Sequence, residues 1–336
     1  MKEALLYQKL KNNNVRCQAC AHRCIIVHGK RGFCSVRENQ DGKLYSLVYG
    51  KAVAINIDPI EKKPFFHWLP GSYSLSIATV GCNFRCLNCQ NYDISQSPKE
   101  RREIFGEDWP PEKIVEEALK FQVPSISYTY TEPTIFVEYA LETMKLAKKK
   151  GLKNNWVTNG YMSKETLKLV APYLDAANVD LKFFQDDLYQ KICGGRLQPV
   201  LDSLRWMKKY KIWVEVTTLV IPGYTDQGAQ FEDIAKFIKN DLGTETPWHI
   251  SRFYPAYKMM NVSPTPPEVI HRAAEIGKKV GLKYVYTGNL PGDDGENTYC
   301  PKCSELVIER IGYQIKRFDK DGKCPKCGEK IAFIDK

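Results

Sequence analysis

The stretch Leu75-Ser76-Ile77-Ala78-Thr79-Val80-Gly81 reads as a short β-strand that ends at a glycine, and it runs directly into Cys82-Asn83-Phe84-Arg85-Cys86-Leu87-Asn88-Cys89. Helical spacing of apolar residues follows over residues 110–121. This strand, cysteine loop and helix open a series of alternating β and α segments. Such alternation favours a parallel sheet with helical crossovers.

The alternation continues to residue 286. Strands are expected at 75–80, 125–131, 155–158, 177–183, 213–220, 248–254 and 283–286, and helices at 110–121, 135–149, 164–173, 199–210, 231–241 and 267–280. Six β/α units and a seventh strand are too few for a full (β/α)8 barrel. We therefore predict an open, partial (β/α)6 TIM-like barrel, with its chemistry on the loops that follow the strands.

The cysteine loop suggests that chemistry. Three thiolates spaced C-x3-C-x2-C, as in Cys82, Cys86 and Cys89, can hold three irons of a [4Fe–4S] cluster and leave the fourth iron open to a chelating ligand. A zinc site that takes its remaining ligand from elsewhere is the alternative.

In this loop the chain resembles the radical S-adenosylmethionine (SAM) superfamily. Residues 75–290 look most like its activating enzymes of glycyl-radical proteins, the pyruvate formate-lyase activase type, through Cys86-Leu87-Asn88-Cys89-Gln90-Asn91. The resemblance implies an enzyme whose [4Fe–4S] cluster cleaves SAM reductively to methionine and a 5′-deoxyadenosyl radical, which abstracts hydrogen from a substrate. It also implies an electron donor such as ferredoxin or flavodoxin.

The same resemblance implies a set of SAM-contacting residues on the rim of the barrel: Tyr130, Thr131, Glu132, Asn159, Asp180, Lys182 and His249. Other interpretations stay open for three of these positions. Asp180 and Lys182 alternate on one strand face and are also compatible with a plain ion pair. His249 is compatible with a satisfied core histidine, and Asn159, which precedes Gly160, suits any turn.

Two positions depart from the activase pattern. Asn88 occupies the place of an aromatic residue that meets the adenine, where an amide can instead bond the base edge. Tyr130-Thr131-Glu132 replaces a Gly-Gly-Glu segment that receives the SAM amino group, and so it lacks the glycines that allow close backbone approach.

The whole layout resembles, more narrowly, the radical SAM component of the AmmeMemoRadiSam system. The features that carry this resemblance are the N-terminal cysteines, the cysteine loop, Tyr128-Thr129-Tyr130-Thr131-Glu132-Pro133 and Leu219-Val220-Ile221-Pro222-Gly223-Tyr224-Thr225. The resemblance implies two partner proteins, one Memo-like and one of the AMMECR type.

Eight further cysteines flank the barrel in two groups: Cys17, Cys20, Cys24 and Cys34 before it, and Cys300, Cys303, Cys324 and Cys327 after it. Four thiolates in each group predict a metal site, with zinc favoured and iron open in both. Activases that carry extra clusters have them after the SAM motif, so the N-terminal position counts against a cluster relay. Iron in the C-terminal group would suggest an electron inlet. Cys193 is left over.

These groups define three predicted regions. Residues 1–70 form a four-cysteine knob with a β-rich cover, 71–292 the barrel and 293–336 a zinc-ribbon or rubredoxin-like module. The N-terminus lacks the features of a signal peptide and no apolar run is long enough to span a membrane, which together predict a cytoplasmic protein.

The net charge is +10, and residues 1–50 hold nine basic and three acidic side chains. This excess motivates a second hypothesis, radical modification of RNA, although nucleic acid is the less favoured partner. A third hypothesis is a metal or electron-transfer module without SAM chemistry.

Overall fold

The structure, a computed structural model, describes residues 1–335. Its centre is an eight-stranded sheet in which seven strands run parallel. The strands from this part of the chain are β8 (Ala54–Pro59), β9 (Tyr73–Ala78), β10 (Glu107–Asp108), β11 (Ser125–Tyr128), β12 (Lys153–Thr158), β13 (Ala176–Asp180), β14 (Trp213–Val220), β15 (Trp248–Arg252) and β16 (Val285–Gly288).

The parallel strands follow one another in chain order across the sheet, from β9 through β11, β12, β13, β14 and β15 to β16. This confirms the α/β class and the parallel sheet. The two edges, β8 and β16, are not paired with each other. The sheet is therefore open, as an incomplete barrel requires.

Helices connect these strands, and the longer ones, such as α3 (Pro111–Lys120) and α4 (Val137–Lys149), pack an apolar face on the sheet. The α-helices are α1 (Tyr92–Ser95), α2 (Ser97–Glu100), α3 (Pro111–Lys120), α4 (Val137–Lys149), α5 (Lys164–Val170), α6 (Asp186–Leu188), α7 (Leu197–Lys209), α8 (Gly228–Phe237) and α9 (Pro267–Val280). The 3-10 turns are Ile60–Lys62, Pro133–Phe136 and Asp294–Glu296, and Tyr189–Cys193 and Ile238–Leu242 form π-helical turns.

The one strand of this sheet that the sequence did not predict is β8, which pairs antiparallel with β9 from Ala54↔Ala78 to Pro59↔Tyr73. The region predicted as an N-terminal module therefore contributes a strand to the central sheet. The domain boundaries at residues 70 and 292 stay a prediction.

The N-terminal strands are β1 (Lys2–Glu3), β2 (Tyr7–Lys9), β3 (Val15–Cys17), β4 (Ile25–Ile26), β5 (Arg37–Gln40), β6 (Lys43–Ser46) and β7 (Lys51–Ala52). Six of them form two small antiparallel sheets, with strand orders β1-β6-β5 and β2-β3-β4, and β7 pairs with β10. Val36 and Val48 of this region belong to the same apolar core as the central sheet.

A second antiparallel unit follows the central sheet, with strands β17 (Thr298–Tyr299), β18 (Leu306–Ile311) and β19 (Gln314–Arg317). Its core includes Val307 and Ile308 and is shared with Phe66, Tyr284 and Tyr286. Tyr284 lies just before β16, so this unit packs where the parallel strands begin.

Five of the nine basic side chains in residues 1–50 are paired with carboxylates: Lys2 with Glu142, Arg23 with Glu165, Arg31 with Glu38, Arg37 with Glu138 and Lys43 with Glu3. Three of these acids belong to helices of the central unit. These three acids lie outside residues 1–50 and offset half of the local excess of six positive charges that motivated the RNA hypothesis.

Among residues 1–335, none of the helices has both the length and the apolar character needed to cross a bilayer. The cytoplasmic location stays a prediction.

Candidate functional site

The loop Cys82–Cys89 follows β9 and lies at the edge where the parallel strands end. All three cysteines are free thiols; Cys86 is buried, and Cys82 and Cys89 are half-buried. The backbone amide of Phe84 donates to the Sγ of Cys82 over 3.3 Å, and the Sγ of Cys89 lies 3.2 Å from the Ser95 hydroxyl oxygen. The loop is thus ordered by its own sulfur contacts.

The segment around Cys193 packs against the cysteine loop and hydrogen-bonds to its backbone. The amides of Arg85 and Leu87 donate to the carbonyl oxygens of Cys193 and Ile192 over 2.8 and 3.0 Å. Phe84 is fully buried, and a Cβ on Gly195 would stand 2.4 Å from its ring. The run Cys193-Gly194-Gly195, unassigned from sequence, is therefore explained by close approach to the cysteine loop.

Asn159, which follows β12, bonds the loop directly. Its Nδ2 donates to the Oδ1 of Asn83 over 2.7 Å and lies 3.8 Å from the Sγ of Cys82, and its Oδ1 accepts from the amide of Tyr161 over 2.9 Å. The structure therefore brings Asn159 and Cys82 together.

Glu132 joins the ends of β11 and β12. Its buried carboxylate accepts from the amides of Thr134 and Asn159 and from the hydroxyls of Thr134 and Thr158. Burial raises the pKa of Glu132, and the hydrogen bonds from Thr134 and Asn159 oppose that rise. With both oxygens already occupied, Glu132 positions Asn159 beside the cysteine loop.

The Tyr130-Thr131 turn adopts a backbone conformation that favours glycine. Tyr130 has φ of 63°, in the left-handed region, at a cost of about 1–3 kcal/mol. Its carbonyl oxygen accepts from the Nδ2 of Asn91 over 2.8 Å, and the Thr131 hydroxyl donates to the carbonyl of Thr79 over 2.9 Å. These bonds fasten the turn to both ends of the cysteine loop.

Asp180 and Lys182 form an ion pair of 2.8 Å at the end of β13. Burial disfavours the charge on Lys182, but Asp180 and the nearby thiols of Cys86 and Cys193 raise its pKa well above the usual value. The pKa of Cys86 is raised by its hydrogen bond with Cys193 and by burial, while Lys182 opposes that rise. The ion pair predicted as an alternative exists, and it acts electrostatically on the loop.

His249 contacts a different set of residues. Its Nε2 lies 2.7 Å from the Oε2 of Glu215, and its ring packs against Phe66 and Tyr286. Glu215 also accepts the amides of Phe66, His67 and Trp68 over 3.0, 3.0 and 3.2 Å. His249 is thus a satisfied buried histidine, and a role at the SAM ribose stays a prediction.

Sequence reasoning missed a row of buried polar side chains on one face of the sheet. Strand register places Ser74 beside Ser125, and Ser76 and Asn155 on either side of Ser127. The hydroxyls of Ser76 and Ser125 and both polar atoms of the Asn155 amide have no partner among residues 1–335. The period-two serines at 74, 76, 125 and 127 were the available signal for a polar face.

Two further polar groups lie at the cysteine loop. Asn88 is only 7% exposed, and its Oδ1 is buried without a hydrogen-bond partner among the described residues. Lys99 donates from its Nζ to the carbonyl of Phe84 over 2.5 Å, and burial lowers its pKa. The first offers a hydrogen-bond acceptor to a ligand, and the second places a cation beside the thiols.

The flanking cysteines lie in two places. Cys17, Cys20, Cys24 and Cys34 line one small cavity in the N-terminal region. His22, interspersed among them, does not join them: its Nε2 donates to the carbonyl oxygen of Asn83 over 2.8 Å, in the loop that carries Cys82. This cavity is therefore a neighbour of the cysteine loop.

Cys300, Cys303, Cys324 and Cys327 converge: their sulfurs lie within 4.8 Å of one another, with Cys300–Cys327 at 3.6 Å and Cys303–Cys324 at 3.5 Å. Zinc–sulfur bonds of about 2.3 Å in a tetrahedron place the sulfurs about 3.8 Å apart. The group therefore fits one metal ion. It packs where the parallel strands begin, away from the cysteine loop, so an electron inlet at this site, which iron would suggest, gains no support.

Comparison with known proteins decides the family. A model of the radical SAM superfamily matches residues 76–238. An uncharacterised protein of Methanocaldococcus jannaschii, MJ0808, is 48% identical over 337 residues, covering 99% of this chain and 100% of that protein. The chain belongs to the radical SAM superfamily.

Other relatives of this radical SAM enzyme carry named activities. The pyruvate formate-lyase-activating enzyme of Clostridium pasteurianum is 23% identical over 171 residues, covering 49% of this chain and 69% of that enzyme. The structure of Streptococcus suis SuiB bound to S-adenosylmethionine superposes with a TM-score of 0.50 at 12% identity, over 68% of this chain and 52% of SuiB. At that identity the likeness concerns the fold alone.

Radical SAM enzymes use a [4Fe–4S] cluster, SAM and a reductant, and the residues present fit them. The cysteine loop offers three free thiols, and Asn88 beside Cys89 offers an unpartnered acceptor. Cys82, Cys86 and Cys89 do not converge within 4.8 Å as the Cys300 group does. A cluster binds each thiolate through a different iron and so holds them farther apart than a single ion does.

Proposed function

We propose that this enzyme cleaves SAM reductively and uses the resulting 5′-deoxyadenosyl radical to abstract hydrogen from a partner polypeptide, of which a glycine radical would be one form. The observation that carries the proposal is the loop of Cys82, Cys86 and Cys89, which is hydrogen-bonded to Asn159 and, through Asn159, to Glu132. When bound by these thiolates, a [4Fe–4S] cluster supplies the electron that cleaves the sulfonium of SAM.

The remaining residues have supporting roles in this proposal. Asp180 and Lys182 are complementary partners for the amino and carboxylate groups of SAM, since each can exchange its partner for a ligand charge. The Oδ1 of Asn88 accepts a hydrogen bond from the adenine edge in place of aromatic stacking. The polar face that includes Ser76, Ser125 and Asn155 offers unpartnered groups to a bound substrate.

We also propose a Memo-like protein and an AMMECR-type protein as partners, and ferredoxin or flavodoxin as the electron donor. Support for the first two is the sequence layout, from the N-terminal cysteines to Leu219–Thr225. Support for a polypeptide substrate is the similarity to a relative named as an activating enzyme.

The first test is anaerobic incubation of the cluster-loaded protein with dithionite and SAM, followed by mass spectrometry of 5′-deoxyadenosine. The control is the Cys82→Ala, Cys86→Ala, Cys89→Ala variant. Product from the wild type alone is expected. If SAM neither yields product nor alters the EPR spectrum of the reduced protein, an electron-transfer module replaces the proposal.

A second experiment examines the partner. Each candidate partner protein is prepared with α-deuterated glycine, and a matched sample carries unlabelled glycine. Deuterium in 5′-deoxyadenosine from the labelled sample only is the expected result. Absence of deuterium with a rise in total product would assign the hydrogen to another residue of that partner.

A further inference from the structure

Four cysteines from the N-terminal segment 17–34 surround one cavity. Cys17 ends β3, Cys20 and Cys24 lie in the turn before β4, and Cys34 precedes β5. All four are free thiols, three of them buried. Four thiols around one cavity are a typical ligand set for a metal ion or an iron–sulfur cluster.

The spacing of these sulfurs differs from that of a single-ion site. Among residues 1–335, the Cys300 group is the one set of three or more potential ligands whose donor atoms all lie within 4.8 Å of one another. No three of the N-terminal thiols meet that distance, although all four line the same cavity. A zinc ion needs sulfurs about 3.8 Å apart, whereas a cluster assigns one iron to each thiolate and spreads them.

Arg37 supplies a second, independent observation. Its guanidinium is 2% exposed, and its Nη1 and Nη2 donate to Glu138 over 2.9 and 2.6 Å. The Nε–H has no partner among the described residues, and Arg37 lines the same cavity as the four cysteines. An unpaired buried donor is destabilising, so an acceptor inside the cavity would stabilise Arg37. At a zinc site the ligand thiolates are the acceptors available to this donor, whereas a cluster adds bridging sulfides.

We propose that Cys17, Cys20, Cys24 and Cys34 hold a second [4Fe–4S] cluster, with the Nε–H of Arg37 donating to its sulfide. This replaces zinc as the expected occupant of the N-terminal site. This second site lies beside the cysteine loop. A Cβ on Gly81, just before Cys82, would stand 3.2 Å from the carbonyl oxygen of Cys34, and His22 hydrogen-bonds to Asn83. The proposal does not depend on the reaction proposed above.

The test counts acid-labile sulfide, which neither zinc nor a rubredoxin-like iron in the ribbon contributes. The protein is purified anaerobically from iron-replete cells without chemical reconstitution. With two clusters, the wild type contains about eight sulfides per chain and the Cys82→Ala, Cys86→Ala, Cys89→Ala variant about four. The variant also shows an EPR signal after reduction with dithionite. Labile sulfide near four in the wild type and absent from the variant, with zinc in its place, would overturn the proposal.

A second variant guards against misfolding. Adding Cys20→Ala and Cys24→Ala to the triple variant leaves two thiolates, Cys17 and Cys34, at the N-terminal site. Loss of the remaining sulfide is expected, and full retention would contradict the assignment. Should this quintuple variant fail to fold, the wild-type count still separates two clusters from one. The triple variant makes no 5′-deoxyadenosine in either case, so the result is separate from the proposed reaction.

Discussion

The Nε2 of His22 lies 2.8 Å from the carbonyl oxygen of Asn83, and this hydrogen bond connects the N-terminal cysteine region to the cysteine loop, Cys82–Cys89. The ring of His22 also stacks on Phe33, 4.1 Å between centroids. Asn83 directly follows Cys82 in the sequence. A displacement of the N-terminal cysteine region is therefore transmitted to the cysteine loop by the hydrogen bond between His22 and Asn83.

Replacing His22 with Phe keeps the stacking on Phe33 and removes the donor to Asn83. The buried carbonyl then loses its partner, and the free energy of unfolding should fall by about 1–3 kcal/mol. Urea unfolding measures the loss, and amide exchange of residues 82–89 should accelerate. The matched control is His28→Phe, because His28 is 60% exposed, and its effect should stay within about 0.5 kcal/mol. Equal losses of unfolding free energy in the two variants would show that the hydrogen bond from His22 to Asn83 does not contribute to stability.

Gly195→Ala should loosen the cysteine loop, because its new Cβ would stand 2.4 Å from the ring of Phe84. Overpacking of this kind costs about 1–3 kcal/mol. Iron retention after gel filtration should drop with it. In contrast, a Cβ on Gly228 meets its nearest neighbour at 3.9 Å, and Gly228→Ala should leave iron retention unchanged. Full iron retention in the Gly195 variant would show that Phe84 can move freely.

His67 should make the protein sensitive to acid. Burial lowers its pKa to about 4, and it is held neutral as its Nδ1 donates to Ala332 over 3.1 Å and its Nε2 accepts from the Tyr286 hydroxyl over 2.6 Å. The unfolded chain takes up that proton near pH 6.5. His67 therefore favours the unfolded state as the pH falls from about 6.5 to 4, by at most about 3 kcal/mol.

The corresponding measurement is the free energy of unfolding between pH 7.5 and 4.5, for wild type and His67→Gln. The variant should show a shallower decline, because a glutamine cannot bind the proton. Parallel profiles for the two proteins would assign the acid sensitivity to other groups.

Removing metal from the C-terminal unit should unfold it locally. The Cys300, Cys303, Cys324 and Cys327 sulfurs are arranged for one ion, and small metal-bound units depend on the ion for their folding energy. Chelation should accelerate amide exchange in residues 298–335 and spare β9 to β13. Cys327→Ala should release about one metal equivalent, measured by mass spectrometry of the metal, while Lys302→Ala should release none. Unchanged exchange after complete metal loss would mean that the unit folds by itself.

Local sequence patterns predicted much of the central sheet. Trp213–Val220 was predicted with both ends correct, and so was Pro267–Val280, whose helix stops at Gly281 with φ of 107°. The boundaries of both elements depend on residues that are close to one another in the sequence. Strand β8 was missed, because only its pairing with β9 across the intervening residues 60–72 makes it a strand.

The candidate site also has features that the sequence predicted and features that it did not. The triplet Cys82, Cys86 and Cys89 was visible from spacing alone, but the support from Cys193 and Gly195 was not. Glu215 went unnoticed as well, because its five hydrogen-bond donors come from Trp213, His249 and the segment Phe66–Trp68. A carboxylate in a strand carries no local sign of partners that distant.

The sequence by itself determined the alternation of strands and helices and the three-thiol loop, since periodicity and ligand spacing are local properties. Only the tertiary structure decided which flanking cysteine group is the neighbour of that loop. Iron in the C-terminal group would have suggested an electron inlet there, yet that group packs where the parallel strands begin, while His22 and Cys34 bring the N-terminal group to Asn83 and Gly81. Long-range packing on the central sheet sets these distances, and no spacing along the chain records it.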